Sequence, residues 1–369
     1  MDHSGEGELL ERKRLTVALP APSAEAQLGF LSKLQRLFTE GDFTATYKFA
    51  LLIALSDLAV ELGTDDGAEL PLLIQQIADR FVQLYWRQAL PYGTGRLDKQ
   101  VGVLVQNLGV QAAVLSSIAA FRASSGATTS TQARAMPTYK ALVTKVAGVV
   151  SAQPLTYLQN FGGVTDSFLY ERTGPGVIQL KPDVAYCLRR FHPFVQQLAR
   201  THWVNHIKSN RRNHSILGDA GDLEDFLFGI SRQSLAIIST GLRKLDGAHC
   251  FYCGQGMHDA DVDHFIPFAL YPRDLAHNFV LAHPQCNRSK SDSLAGMTHL
   301  ERWLHRMSKR STQLSEIGAS AGVAVDGRTM HRVAAWGYKN AQAAGGRAWI
   351  KAASYEAIGV AHLKLLEAA

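Results

Sequence analysis

Two short pairs, Cys250-Phe-Tyr-Cys253 and His283-Pro-Gln-Cys286, constrain this chain more than anything else in it. The remaining cysteine, Cys187, lies far upstream in sequence. Structural disulfides do not persist in a reducing compartment, so a clustered Cys-x-x-Cys there points to metal binding or redox chemistry. A redox pair would sit in a βαβ setting, and the surrounding residues do not supply one. Together the two pairs offer three thiolates and one imidazole, the closed four-ligand set of a structural zinc. His249 and His258 lie close enough to compete for the fourth place. Such a site contributes on the order of 10 kcal/mol to folding a small module.

The rest of the chain reads as mainly helical. Residues 1–25 are polar and then rich in Pro and Ala, and are expected to form a flexible arm. Thr44–Leu62 has apolar residues on most sides and a stop at Gly63, so it predicts a buried central helix. Helices are also expected at 70–89, 99–122, 137–150, Asp183 to Lys208, Asp222 to Leu245, 298–309, 328–344 and 353–367. Thr173-Gly-Pro-Gly176 predicts a small hairpin within 164–182. The expected organisation is a helical domain over 26–245 for sensing, targeting or dimerisation, a zinc-stabilised module over 246–296, and C-terminal helices over 297–369. No run of eighteen apolar residues occurs and the N-terminus is not signal-like, so the expectation is a cytoplasmic chain without a membrane partner.

Between the knuckles lie Asp261-Val-Asp-His-Phe-Ile-Pro267, His277-Asn-Phe-Val-Leu-Ala282 and Asn287-Arg-Ser-Lys-Ser-Asp292. In this order and spacing, residues 246–294 resemble the HNH endonuclease family, and in particular the HNH domain of RNA-guided effector nucleases. The resemblance implies a ββα-metal fold whose first strand presents Asp263 and His264 and whose closing helix presents Asn287. His283 stands where many members have Cys, and Asn287 where others have His.

Phosphodiester hydrolysis needs a base, a cation for the charge growing on phosphate, and in-line alignment. His264 suits the base. Asp263 and Asn287 suit one Mg²⁺ or Mn²⁺, with Asp261 a lesser candidate on the same strand face. The resemblance implies that Asn278 steadies the loop and orients the base. Lys290, one helical turn after Asn287, is placed to touch the scissile phosphate. Strict strand alternation sends Asp263 and His264 to opposite faces, so a bend or strand end is required at this point.

A net charge of +6 and a pI of about 9.1 suit a polyanionic partner. Arg288, Arg302, Arg306, Lys309 and Arg310 adjoin the module and are candidate contacts to double-stranded DNA. Arg189, Arg190, Arg200, Lys208, Arg211 and Arg212, with His202, His206 and His214, fit either a DNA path or a solvated helix face. Tyr85, Trp86 and Trp203 are expected in the core. These readings favour a DNA endonuclease of restriction-like or anti-phage defence, able to self-associate through its helical part. The alternative is a zinc-dependent DNA-binding or regulatory protein with a degenerate nuclease module. A homing nuclease would carry a further sequence-reading motif, which the chain does not offer.

Overall fold

A computed structural model describes residues 19–94, 99–217 and 222–369. Most of the expected arm, residues 1–18, lies outside the described residues. Its last part is ordered instead: Ser23 caps helix α1 (Ala24–Glu40), accepting a hydrogen bond from the Ala26 amide. Helix α2 (Tyr47–Leu62) runs through the interior, with all but its last residue buried. Its sequence is apolar on every side except for Lys48, Ser56, Asp57 and Glu61, and those four are buried too.

Several expected helices give way to other structure. Residues 70–73 form strand β1 (Leu70–Leu73) before α3 (Ile74–Trp86) begins, and Pro71 is tolerated because β1 lies at a sheet edge. Residues 99–112 are irregular, and α4 (Ala113–Ser125) starts only after them. Polar side chains take over the backbone here. Asn213 bonds both the N–H and the carbonyl of Val105, and Gln111 bonds the carbonyl of Leu104. Buried Gln106 in turn accepts from Thr46 and Trp203, both at 3.0 Å.

Helices α5 (Ser130–Arg134), α6 (Tyr139–Ala152) and α7 (Pro154–Tyr157) lead into a small ladder, β2 (Asn160–Phe161) with β3 (Val164–Thr165). The hairpin around Thr-Gly-Pro-Gly is β4 (Tyr170–Gly174) and β5 (Val177–Leu180), and β1 adds to it in the order β1-β5-β4. The long helix expected from Asp183 is two helices, α8 (Val184–Arg190) and α9 (His192–Ser209). Phe191 breaks it, and Pro193 opens the second helix, where a missing N–H costs nothing. A short 3₁₀ turn and α10 (His214–Leu217) follow. The next expected helix is also divided, into α11 (Leu223–Phe228) and α12 (Arg232–Asp246), by extended Gly229 and the Ser231 cap.

The zinc-knuckle region supplies β6 (Asp261–His264), β7 (Phe279–Ala282) and α13 (Pro284–Lys290). Helix α14 (Met297–Ala321) passes through a kink at Arg310 and is longer than expected. After α15 (Gly327–Ala343) comes a hairpin, β8 (Arg347–Lys351) with β9 (Ser354–Ala357), whose second strand replaces the start of the helix expected over 353–367, and then α16 (Val360–Ala368). Trp349 explains the hairpin: its backbone bonds Leu294 and Gly296, and its ring is buried against Tyr252.

The apolar interior forms two clusters. One runs from Phe30 to Leu227 and includes Tyr85, Trp86 and Trp203. The other joins Ile238 and Leu242 of α12, the β6–β7 region, Trp303, Trp336 and Trp349. Val60 of α2 belongs to this second cluster, so the central helix forms a wall of both. Among the described residues, no helix is long and apolar enough to cross a membrane.

Candidate active site

The first knuckle turns tightly because Gly254 takes φ +72°, with its N–H bonded to the carbonyl of Cys250. The second opens α13, where Pro284 fits the first turn. The Cys250, Cys253, His283 and Cys286 ligand atoms all lie within 4.8 Å of one another. Tetrahedral bonds of about 2.0–2.3 Å to one zinc need separations of that order. His283 Nε2 donates to the carbonyl of Gly256 at 3.2 Å, leaving the lone pair on Nδ1, which faces Cys253 Sγ at 3.3 Å. That pattern selects Nδ1 of His283 as the fourth donor, and neither His249 nor His258 joins the group. Burial raises the Cys250 thiol, but N–H groups of Cys253, His283 and Tyr252 outweigh it and bring it to about 7. Burial and the two neighbouring thiolates push Cys286 up to about 12. Crowded sulfur of this kind is consistent with a structural zinc, whose charge would relieve it.

β6 and β7 pair antiparallel, with Asp263 opposite Val280 and His264 opposite Phe279. Asp261 and Asp263 share one face of β6, two residues apart. α13 meets that face with Asn287 and Lys290, three residues apart on one helix side. Asn287 Nδ2 donates to Asp261 Oδ2 at 3.0 Å, which leaves the amide oxygen for another partner. Asp263 is nearly buried, accepting from Tyr252 Oη at 2.5 Å and pairing with Lys290 Nζ at 3.1 Å. The donor set is therefore all oxygen, and Asp261 stands closer to Asn287 than its minor place in the sequence reading suggested.

Lys290 does not take the position expected of it. Its side chain is fully buried, and Nζ donates to the carbonyl of His264 at 2.8 Å as well as pairing with Asp263. Burial lowers its pKa while Asp263 opposes that shift. Helical spacing gave the correct face, but the face is turned inward, so Lys290 ties α13 to the end of β6 and does not reach solvent.

His264 is the last residue of β6, and the strand end resolves the alternation problem. Its ring lies between Phe268 and Phe279, at 5.2 and 4.8 Å, and Nε2 bonds Asp274 Oδ1 at 2.8 Å. Asp274 was not singled out in the sequence. Its only signal is an acidic residue in an otherwise irregular loop four positions before Asn278. Asn278 is buried, and its amide bonds Ile266 twice, accepting from the N–H at 2.8 Å and donating to the carbonyl at 2.9 Å. It shapes the turn after His264 and touches no open space.

The basic candidates divide. Arg306 is buried, with Nη1 on the carbonyl of Phe279 and Nη2 on Asp246 at 2.8 Å. Arg302 bonds the carbonyls of Phe251 and Tyr252. Arg302 holds α14 against the first knuckle and Arg306 holds it against β7 and α12, which removes Arg306 as a nucleic-acid contact and leaves Arg302 partly committed. Lys309 and Arg310 are exposed, but they line a cleft of about 800 Å³ with Cys250, Phe251 and Leu281. None of Asp263, His264 and Asn287 lines it. Arg288 is exposed on α13 beside Asn287. Upstream, Arg189 bonds Asp65 and two α2 carbonyls, Arg200 is buried, and His202 and His206 pack on Phe38 and Phe49.

Comparison with curated proteins and with solved structures gives no match. Two family models do match. One, described as a domain of unknown function (DUF8808), covers residues 27–227, and the other, described as HNH endonuclease, covers residues 250–293. The first spans more than half of the chain, and the second encloses both knuckles, both strands and α13. An HNH domain implies a nucleic-acid substrate. The chain belongs to the DUF8808 family and carries an HNH endonuclease domain behind it.

Proposed function

We propose that this protein is a metal-dependent endonuclease that hydrolyses DNA phosphodiester bonds. The observation that carries the reading is the meeting of β6 and α13. It sets Asp263, Asp261 and Asn287 on one interface, with His264 at the end of the same strand. In this reading Asp263 and Asn287, with Asp261 beside them, hold one Mg²⁺ or Mn²⁺. A hard cation of that kind supplies charge neutralisation for the phosphate. His264 takes a proton from the attacking water at Nδ1, its Nε2 being occupied by Asp274. Asn278 fixes the turn that carries the imidazole, and Lys290 fixes Asp263. Arg288 is the basic residue best placed to meet the phosphate backbone. Three cysteines gathered for one metal suit a reducing compartment such as the cytoplasm. A defence role, restriction-like or anti-phage, fits a nuclease fused to a large helical unit.

The test compares wild type and His264→Ala on plasmid, phage-modified and single-stranded DNA, with and without Mg²⁺. Wild type is expected to cut and to stop with EDTA. His264→Ala should lose at least about 100-fold in rate while still binding DNA. Equal cutting by the variant would move the base elsewhere. Binding without cutting by wild type would favour a zinc-dependent DNA-binding protein.

A further inference from the structure

The loop that carries Asp274 meets the nuclease domain's own strands at His264, through Phe268 and Asp274. It runs from Pro267 to the 3₁₀ turn Ala276–Asn278, and its middle is gripped by three helices of the N-terminal unit. Tyr271 Oη donates to Glu61 Oε1 at 2.5 Å, and Arg273 Nη1 donates to the same oxygen at 2.6 Å. Arg273 Nη2 reaches Gln83 Oε1 at 2.7 Å, and Arg200 Nη2 donates to the carbonyl of Pro272 at 2.6 Å. Glu61 lies on α2, Gln83 on α3 and Arg200 on α9, all inside the DUF8808 span. Residues 271, 272 and 273 are thus each fixed from outside, and residue 274 holds the imidazole.

A carboxylate has no N–H to offer, so its bond to a neutral imidazole places the proton on Nε2. The lone pair then falls on Nδ1, which has no hydrogen-bond partner among the described residues. Glu61 and Tyr271 are almost completely buried, so the grip cannot slide without stranding polar groups away from water. We propose that Asp274 is the positioning residue for His264, and that the N-terminal helical unit sets it through the clamp of Glu61, Gln83 and Arg200. The proposal rests on reading His264 as the base. It gives the helical unit a direct mechanical hold on the nuclease centre, so that whatever rearranges α2, α3 and α9 acts on the imidazole.

The experiment reads the His264 tautomer by ¹⁵N NMR in the metal-free full-length protein, assigned by difference from His264→Ala, alongside kcat and KM with Mg²⁺. Wild type should show the Nε2–H form. Asp274→Ala should mix the tautomers and lower kcat about tenfold or more, with KM within about twofold. Asp274→Asn, which keeps an acceptor oxygen, should restore the Nε2–H form and part of kcat. Gln83→Ala and Glu61→Gln should shift both readouts in the same direction by smaller factors, at unchanged zinc content. An unaltered tautomer and kcat in Asp274→Ala would overturn the positioning role. Wild-type behaviour of both clamp variants would overturn the hold of the helical unit. Should wild type fail to cut DNA, the nuclease reading falls, and the tautomer measurements still decide whether Asp274 and the clamp set His264.

Discussion

Asn278 was read from the family resemblance and Lys290 from helical spacing, and the structure shows what each kind of signal can and cannot give. The Asn278 amide satisfies both polar groups of the Ile266 backbone in a dry setting. Asn278→Ala would leave a buried N–H and carbonyl unpaired, at a cost of about 1–3 kcal/mol. The expected outcome is a lower urea midpoint together with a fall in kcat, because the turn after His264 loosens. Asn278→Asp, which keeps an acceptor for the Ile266 N–H but has no N–H₂ for its carbonyl, should restore stability only in part. A midpoint equal to wild type in Asn278→Ala would mean that its two bonds to Ile266 add nothing to stability. The knuckle ligands were legible because each pair lies within one turn of chain and zinc chemistry dictates the residue types. Asp274 was not legible, since a loop without periodicity says nothing about which side chain ten residues back it will meet. Arg306 was misread for a related reason: its partner Asp246 is on another helix, and charge in sequence does not reveal a carboxylate that space provides.

At the level of elements, the knuckles and the packing of α14 make separate contributions. Cys253→Ser removes one zinc donor, and the variant should hold well under one zinc per chain by elemental analysis. Its β6–β7–α13 region should exchange amide hydrogens faster than in wild type, while α1 to α9 keep their protection. Uniform loss of protection over the whole chain would contradict a local role for the metal. Gly318 tests the other side. A Cβ there would stand 2.3 Å from Cβ of Ala276, so Gly318→Ala must push α14 away from the turn that precedes Asn278. Despite the gain in helix propensity, destabilisation of about 1–3 kcal/mol is expected from overpacking. Helix α2 was legible from its all-round apolar pattern, and the hairpin β4–β5 from its turn residues. The hairpin β8–β9 was not, because Trp349 is drawn into strand by the backbone of Leu294 and Gly296, some fifty residues away. The breaks at Phe191 and Gly229 were written in Pro193 and the Ser231 cap, signals that a long amphipathic reading overrode.

Over the whole molecule, the two apolar clusters are joined through α2 and the residues just beyond it. Asp65 pairs with Arg189 at 2.7 Å and with Lys339 of α15 at 2.9 Å, so one carboxylate links the helical unit to the C-terminal elements. Burial alone would raise its pKa, but the two cations outweigh that and hold it below the usual carboxylate range. A carboxylate whose folded pKa is depressed adds stability that is complete above its unfolded value, about 4. That stability is lost as pH falls through the lower folded value. Asp65→Asn should therefore cost about 1 kcal/mol at pH 7, solvent screening of the Lys339 side included. The cost should shrink as pH falls below about 4, first as the unfolded carboxylate takes up its proton and then through the lower folded value. Urea midpoints for the two proteins across that range measure the difference. Acid would also strip a zinc held at the knuckle thiolates, but in both proteins alike, so the gap between them isolates Asp65. A gap that stays constant from pH 7 to pH 3 would mean that the charge of Asp65 contributes nothing, and that only its shape is used at the junction.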